Sequence, residues 1–390
     1  MNLLFLSKDY PDGGAAGGVG TYTFEMSKLL SGLGHNIFVI TGSRNGRSSE
    51  YIDNNGVHIF RVETEQKIAH SFLMERLQYS YVVSRKLRDV VDKYNIDIVE
   101  GREALEEAFW YFFFHRRAKK PLLVIKLHTP ESIIYRMNQS ADGFEVKMIR
   151  DLEEWWIRRG DQVIGLTKAV VDLTSKFFGM KLGDVPIVPN PIDTQFFIPN
   201  NEHNTDGYTV LYVGRLEFRK GVHVLMRAIP SVLKEIPEAK FKFIGSDCGM
   251  KHTLQNMIRE YHCEGNVSLK AQISREDLKY EYQKAALCVI PSLWENHPYV
   301  CLEAMACGRP VIASDIAGIP EIIEREVSGI LVPVGSSGQL ANAIIRAFKN
   351  AELRVTLGKN ARRRMEDYYS PQHVANQNLK IYEKLLERAK

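Results

Sequence analysis

The sequence predicts an α/β protein made of two parallel-sheet domains joined by a linker. Three observations carry this. Short apolar runs alternate with helical patterns along nearly the whole chain. The alternation breaks once, in a polar and turn-rich stretch near residue 190, and then restarts. The length of 390 residues suits two cores of about 150–200 residues each.

The elements follow in order. Residues 3–6 read as a buried strand. Residues 19–33 read as a helix with Val19, Tyr22, Met26, Leu29, Leu30 and Leu33 on one face, stopped by Gly34. Strands are expected at 36–41, 57–62, 97–99, 122–128 and 162–166. Continuous apolar runs of this kind belong to a parallel sheet covered on both faces. PNPID and then FFIPNNEHNTDG mark the break. A second series follows at 208–213, 241–244, 267–269, 287–290, 310–313 and 330–332. Residues 370–390 read as one amphipathic helix with Val374, Leu379, Ile381, Tyr382 and Leu385 or Leu386 on its apolar side. The expected organisation is an N-terminal domain 1–189, a linker 190–207, a C-terminal domain 208–369 and a final helix 370–390.

Composition narrows the function classes. A net charge of +4 is small for this length and does not argue for nucleic acid. The five cysteines include no CxxC pair and have no metal-ligand spacing with histidine, so a reduced, cytoplasmic chain without zinc is expected. MNLLFLSKDY is too briefly apolar for a signal peptide, and no run is long enough to span a bilayer.

Ligands of such sheets bind beyond the carboxyl ends of the strands, so the strand-end motifs matter first. DGGAAGGVGTY, with Gly17 and Gly18, lies between the first strand and first helix. Glycines allow close backbone approach, and a helix start offers N–H groups to an anion. It lacks the third glycine of a dinucleotide fingerprint, and no acid ends the second strand. GRLEFRKG follows a strand directly. The Arg215 fork and the Lys220 point charge suit a diphosphate. WENHPYVCLEAMACGRPVI places Glu295 in a loop and Glu303 on the helix behind it. Pro298 suits the first helical turn and Gly308 its end. The N–H groups around Asn296, His297, Tyr299 and Val300 would carry the positive end of the helix dipole. A carboxylate can accept both hydroxyls of a vicinal diol, as a sugar or ribose presents. His128 ends a strand of the first domain and could donate a hydrogen bond. The chain contains no Asp-X-Asp pair, so a diphosphate would be neutralised by cationic side chains and helix dipoles rather than by a metal.

Taken together, the Gly-Gly-Val loop, GR-x4-KG, E-x7-E followed by AMACGRPVI, and SDIAGIPEII resemble glycosyltransferase family 4 over nearly the whole chain. The resemblance implies a retaining enzyme of the GT-B fold: two Rossmann-like domains facing a cleft, with the last helix crossing back to the first domain. It implies a nucleotide-sugar donor, a carbohydrate or lipid-linked sugar acceptor, and no divalent metal. By position, Arg215 and Lys220 match the diphosphate pair and Glu303 the acid on the ribose hydroxyls. Glu295 matches the acid on the donor sugar, and Gly17 and Gly18 the loop near phosphate and acceptor. His128 matches a histidine near the transferred sugar. Gly245 and the stretch 271–273, with Ile273, lie where the nucleotide usually passes. Many members carry Glu-Gly-Phe-Gly where this chain has Glu295-Asn296-His297-Pro298. Both glycines are replaced, and Pro298 removes an N–H donor. UDP-glucose is the donor suggested by family frequency.

Arg116, Arg117, Lys119 and Lys120 follow the aromatic run 109–114, and Trp155 and Trp156 precede Arg158 and Arg159. These groups are compatible with docking at the inner face of a membrane. The rival readings are a same-fold epimerase or phosphorylase, a glycosidase using Glu295 and Glu303 as its two carboxyls, and a sugar-binding protein without catalysis.

Overall fold

The computed structural model describes residues 1–11, 17–43, 46–63, 72–104, 107–114, 121–137, 143–200 and 207–389. The chain divides into two compact units. The first comprises Met1–Pro191 and Pro371–Lys390, the second Ile192–Ser370.

The first unit is built around a seven-stranded sheet. Its strands are β1 (Asn2–Leu6), β2 (Asn36–Gly42), β3 (Ser49–Ile52), β4 (His58–Val62), β5 (Ile98–Arg102), β6 (Leu122–Leu127) and β7 (Gln162–Gly165). The order is β3-β4-β2-β1-β5-β6-β7. Its helices are α1 (Gly18–Gly32), α2 (Phe72–Tyr94), α3 (Phe109–Phe114), α4 (Glu131–Met137), α5 (Phe144–Arg159) and α6 (Lys168–Phe178). Leu3, Leu4, Phe5 and Leu6 are all buried, as a strand covered on both faces requires. The sheet is not wholly parallel, as the sequence led one to expect. β3 pairs antiparallel with β4 at the edge, and all four of its residues are exposed. SEYI has no apolar run to betray a strand. Its partner and the turn at Gly56 make it one.

The second unit has six strands: β8 (Thr209–Val213), β9 (Lys240–Ile244), β10 (Val267–Lys270), β11 (Leu287–Ile290), β12 (Val311–Ser314) and β13 (Ile330–Val332). They are parallel, in the order β10-β9-β8-β11-β12-β13. The helices are α7 (Val222–Glu235), α8 (Lys251–Glu260), α9 (Arg275–Lys284), α10 (Tyr299–Ala306), α11 (Ile319–Ile322), α12 (Ser337–Lys349) and α13 (Ala351–Tyr368). Val222, Leu225, Met226, Ile229 and Val232 of α7 recur at helical spacing and are all buried against this sheet.

The last helix, α14 (Pro371–Ala389), belongs to the first unit. Its buried stripe is Val374, Ala375, Asn378, Tyr382 and Leu385. Leu379 and Ile381, expected there, are only half-buried. Asn378 takes the central place, with its amide against the Met26 sulfur of α1 at 3.8 Å. The Tyr382 hydroxyl donates to Glu100 on β5.

Both sheets reverse their strand order at one point. In the first unit the reversal lies between β1 and β5, in the second between β8 and β11. Crevices at such reversals, beyond the carboxyl ends of the strands, are where doubly wound sheets bind ligands.

Candidate active site

In the second unit, the two strongest sequence motifs follow the two strands of the reversal. GRLEFRKG leaves β8, and WENHP follows β11. The backbone stitches them together. Leu293 N–H donates to the Arg219 carbonyl at 2.8 Å, and an Arg219 guanidinium nitrogen donates to the Trp294 carbonyl at 3.1 Å. Gly221 makes this approach possible. It ends the short 3-10 turn Phe218–Lys220 with φ of 67°, and a Cβ there would sit 1.9 Å from the Pro291 carbonyl oxygen. Gly245, at the end of β9, packs likewise against Gly214.

Glu295 lies at the centre of this junction. It is 6% exposed. Lys220 forms an ion pair with its Oε1, the Ser292 hydroxyl donates to the same oxygen at 3.0 Å, and Arg219 stands 4.0 Å from Oε2. Burial alone would push the carboxyl upward. Lys220, Arg219 and the hydrogen bonds from Lys220 and Ser292 nevertheless hold it below the usual carboxylate range. A buried anion between two cations is an electrostatic mount, poorly suited to act as a general acid near neutral pH.

Arg215 is placed differently. Its side chain is 55% exposed and pairs with Glu217 at 3.1 Å, while Glu217 also holds Arg219 at 2.8 Å. Three cations therefore gather around two carboxylates, where the sequence singled out only Arg215 and Lys220. The third, Arg219, stands beside Lys220 in the same basic turn, which is the signal that points to it.

Pro298 is the N-cap of α10 rather than its first helical residue. Gly308, at φ of 67°, donates to the Met305 carbonyl, and Arg309 donates to Ala304, which together close the helix. Asn296, His297 and Tyr299 are buried, and Val300 is half-buried. The His297 ring packs against Tyr369 at 5.5 Å. Glu303 is half-buried on α10 and accepts a hydrogen bond from the Tyr282 hydroxyl at 2.9 Å. Ile273 is half-buried in the loop after β10.

In the first unit, Gly17 is the exposed N-cap of α1 and Gly18 its first residue. Residues 12–16 of that loop lie outside the described residues. His128 follows β6. Its N–H donates to Glu103 at 2.8 Å, and its ring meets Tyr22 edge-on at 5.2 Å. Tyr22 donates to Glu100 at 2.7 Å and lies under the Lys126 ammonium at 5.0 Å. Burial pulls Lys126 down to about 8, against the opposing charge of Glu100. Sequence spacing does not announce this buried cluster. Its one signal was a lysine inside the apolar run LLVIKL.

The Trp pair divides. Trp156 is fully buried and donates to the Arg102 carbonyl at 3.0 Å; Trp155 packs on Phe109 at 5.1 Å. Phe113 and Phe114 are exposed. Arg116, Arg117, Lys119 and Lys120 lie outside the described residues. Among the described residues, no helix is long and apolar enough to cross a membrane. A surface hollow of about 420 Å³ beside β3 and α2 includes none of the residues singled out by sequence.

Comparison with known proteins agrees with this geometry. Residues 193–364 match the profile described as Glycosyl transferases group 1, and residues 16–196 that of Glycosyltransferase Family 4. An uncharacterized glycosyltransferase of Methanocaldococcus jannaschii is 27% identical over 99% of both chains. Among solved structures, sucrose-phosphate synthase from Thermosynechococcus elongatus superimposes with a TM-score of 0.83 at 22% identity, covering 100% of both chains. Anabaena HepE in complex with UDP-glucose gives a TM-score of 0.75 at 17% identity, over 98% of this chain and 100% of that one. These two similarities establish the GT-B fold. With both halves of the chain matched, the protein belongs to the retaining glycosyltransferases of family 4, group 1, enzymes that use nucleotide-sugar donors.

Proposed function

We infer that the protein transfers a hexose from UDP-glucose to a hydroxyl of a carbohydrate or lipid-linked acceptor, in polysaccharide or glycolipid assembly. The observation that carries the donor half is the junction of Lys220, Arg219 and Glu295 at the strand reversal of the second unit. Cations already desolvated and oriented stabilise the charge that grows on a leaving diphosphate more than they stabilise the intact donor. The exposure of Arg215, the most exposed of the three, supports its closing on the diphosphate from solvent. Glu295 orients the sugar hydroxyls and Glu303 the ribose diol, as the family resemblance implies. Gly245, Ile273 and the backbone of Asn296, His297, Tyr299 and Val300 line the path of the nucleotide.

On this reading the attack is from the front face. The donor phosphate accepts the acceptor's proton, and Glu295 forms no covalent adduct. Held as an anion beside Lys220 and Arg219, Glu295 is not suited to be the general acid that a glycosidase also needs. UDP and glucose are proposed because the HepE structure carries UDP-glucose. The first unit is the acceptor side, with Gly17, Gly18 and His128 as its candidate contacts. The exposed Phe113 and Phe114, followed in sequence by four basic residues, support docking on an anionic membrane face from the cytoplasmic side.

The test is calorimetric titration with UDP, GDP and ADP, with Mg²⁺ and with EDTA, on the wild type and Glu303→Ala. Metal-independent binding of UDP that the substitution weakens is the expected outcome. Binding of GDP or ADP in its place would replace the donor, and no binding of any nucleotide would sink the reading.

A further inference from the structure

We propose that Tyr282 is a positioning residue for Glu303 and thereby sets the selectivity of the donor site for a ribose over a deoxyribose nucleotide. The proposal rests on the reading that Glu303 binds the ribose diol.

Tyr282 sits in the last turn of α9 and is 1% exposed. Its hydroxyl donates to Glu303 Oε2 at 2.9 Å. The direction of this bond is fixed, because burial and the charge of Glu303 hold the phenol well above its ordinary value. The phenol therefore stays protonated and the carboxylate accepts.

The surroundings leave the tyrosine little freedom. The Phe197 ring, fully buried, meets it edge-on at 6.3 Å. Arg275 lies over Phe197 at 5.3 Å. Arg309 ties the two helices together: it donates to the carbonyls of Gln283 and Ala285 at 3.3 and 3.4 Å, and to that of Cys307 at 3.1 Å. The end of α9 and the end of α10 are thus clamped, with Tyr282 and Glu303 between them.

The consequence is geometric. A glutamate on a helix surface rotates about its last bond, and a rotating carboxylate accepts one hydroxyl about as well as two. One donor fixed on Oε2 sets the carboxylate plane and leaves that oxygen a second lone pair. A vicinal diol can then meet both oxygens at once, which a single hydroxyl cannot exploit. Preorganisation of this kind shows in discrimination rather than in overall affinity.

The experiment measures dissociation constants for UDP and 2′-deoxy-UDP on the intact protein, for the wild type, Tyr282→Phe, Phe197→Leu and Glu303→Ala. The wild type should prefer UDP by about tenfold or more, the worth of a hydrogen bond to a charged group. Tyr282→Phe keeps the packed ring and should cut this preference by about threefold to tenfold, chiefly by weakening UDP. Phe197→Leu leaves the hydroxyl but loosens the ring, so it should move the preference in the same direction. It carries the test if Tyr282→Phe does not fold. Equal weakening of both nucleotides, or an unchanged preference, would overturn the proposal while Glu303→Ala still abolishes the preference. If Glu303→Ala leaves the preference intact, the ribose reading itself fails and the role of Tyr282 with it.

Discussion

Replacing Gly221 by alanine should cost both stability and nucleotide binding, by amounts the geometry sets. The residue sits at φ of 67°, where an alanine pays about 1–2 kcal/mol. The added Cβ would lie 1.9 Å from the Pro291 carbonyl oxygen, so the two backbones must part by about an ångström. That separation stretches the Leu293 to Arg219 hydrogen bond and the Arg219 to Trp294 contact. Losing these adds about 1 kcal/mol each. The sum is about 3–4 kcal/mol, which for a unit of this size lowers Tm by about 6–16 °C. Calorimetry of the whole protein resolves it, since the transition that UDP shifts upward identifies the second unit. The same movement carries Lys220 away from Glu295, so the affinity for UDP should fall by about tenfold or more. A variant that melts within about 2 °C of the wild type and binds UDP equally well would refute the reasoning.

Arg215→Ala and Arg219→Ala should each lower turnover by about tenfold or more. Only Arg219→Ala should also lower Tm, since Arg219 is nearly buried and Arg215 is not; unchanged turnover in either removes that residue from the diphosphate site. Lys126→Met should change how stability depends on pH. Between about 8 and 10.5 the unfolded chain keeps a proton that the folded Lys126 has released, so wild-type stability gains with rising pH in that window. Denaturant titrations should show the gain in the wild type relative to the variant, and parallel curves would count against a buried, desolvated ammonium. Phe113→Ser with Phe114→Ser should weaken sedimentation with anionic vesicles and leave transfer to a water-soluble acceptor unchanged; equal sedimentation would remove the membrane reading.

The strands of both sheets were readable wherever an apolar run announces a buried strand. The edge strand β3 was not, because exposed SEYI is defined by its neighbour rather than by its own pattern. The site divides on similar lines. Arg215, Lys220, Glu295 and Glu303 stand in motifs with local spacing and could be named from the sequence. Tyr282 and Glu100 could not. Each acts on a residue far along the chain, Tyr282 on Glu303 and Glu100 on Tyr22 and Tyr382. Only the folded sheet reveals such pairings.

The place of α14 bears on how the molecule is made. The first unit is interrupted in sequence by the whole of the second, and the helix that covers Met26 and Glu100 is made only after the second unit. Until then Glu100 lacks the Tyr382 hydroxyl, and the α1 face stands open to water. The second unit, continuous from Ile192 to Ser370, can complete its core earlier. The first unit, begun before the second, is therefore completed after it. A nascent chain stalled before residue 371 would display that apolar face to chaperones.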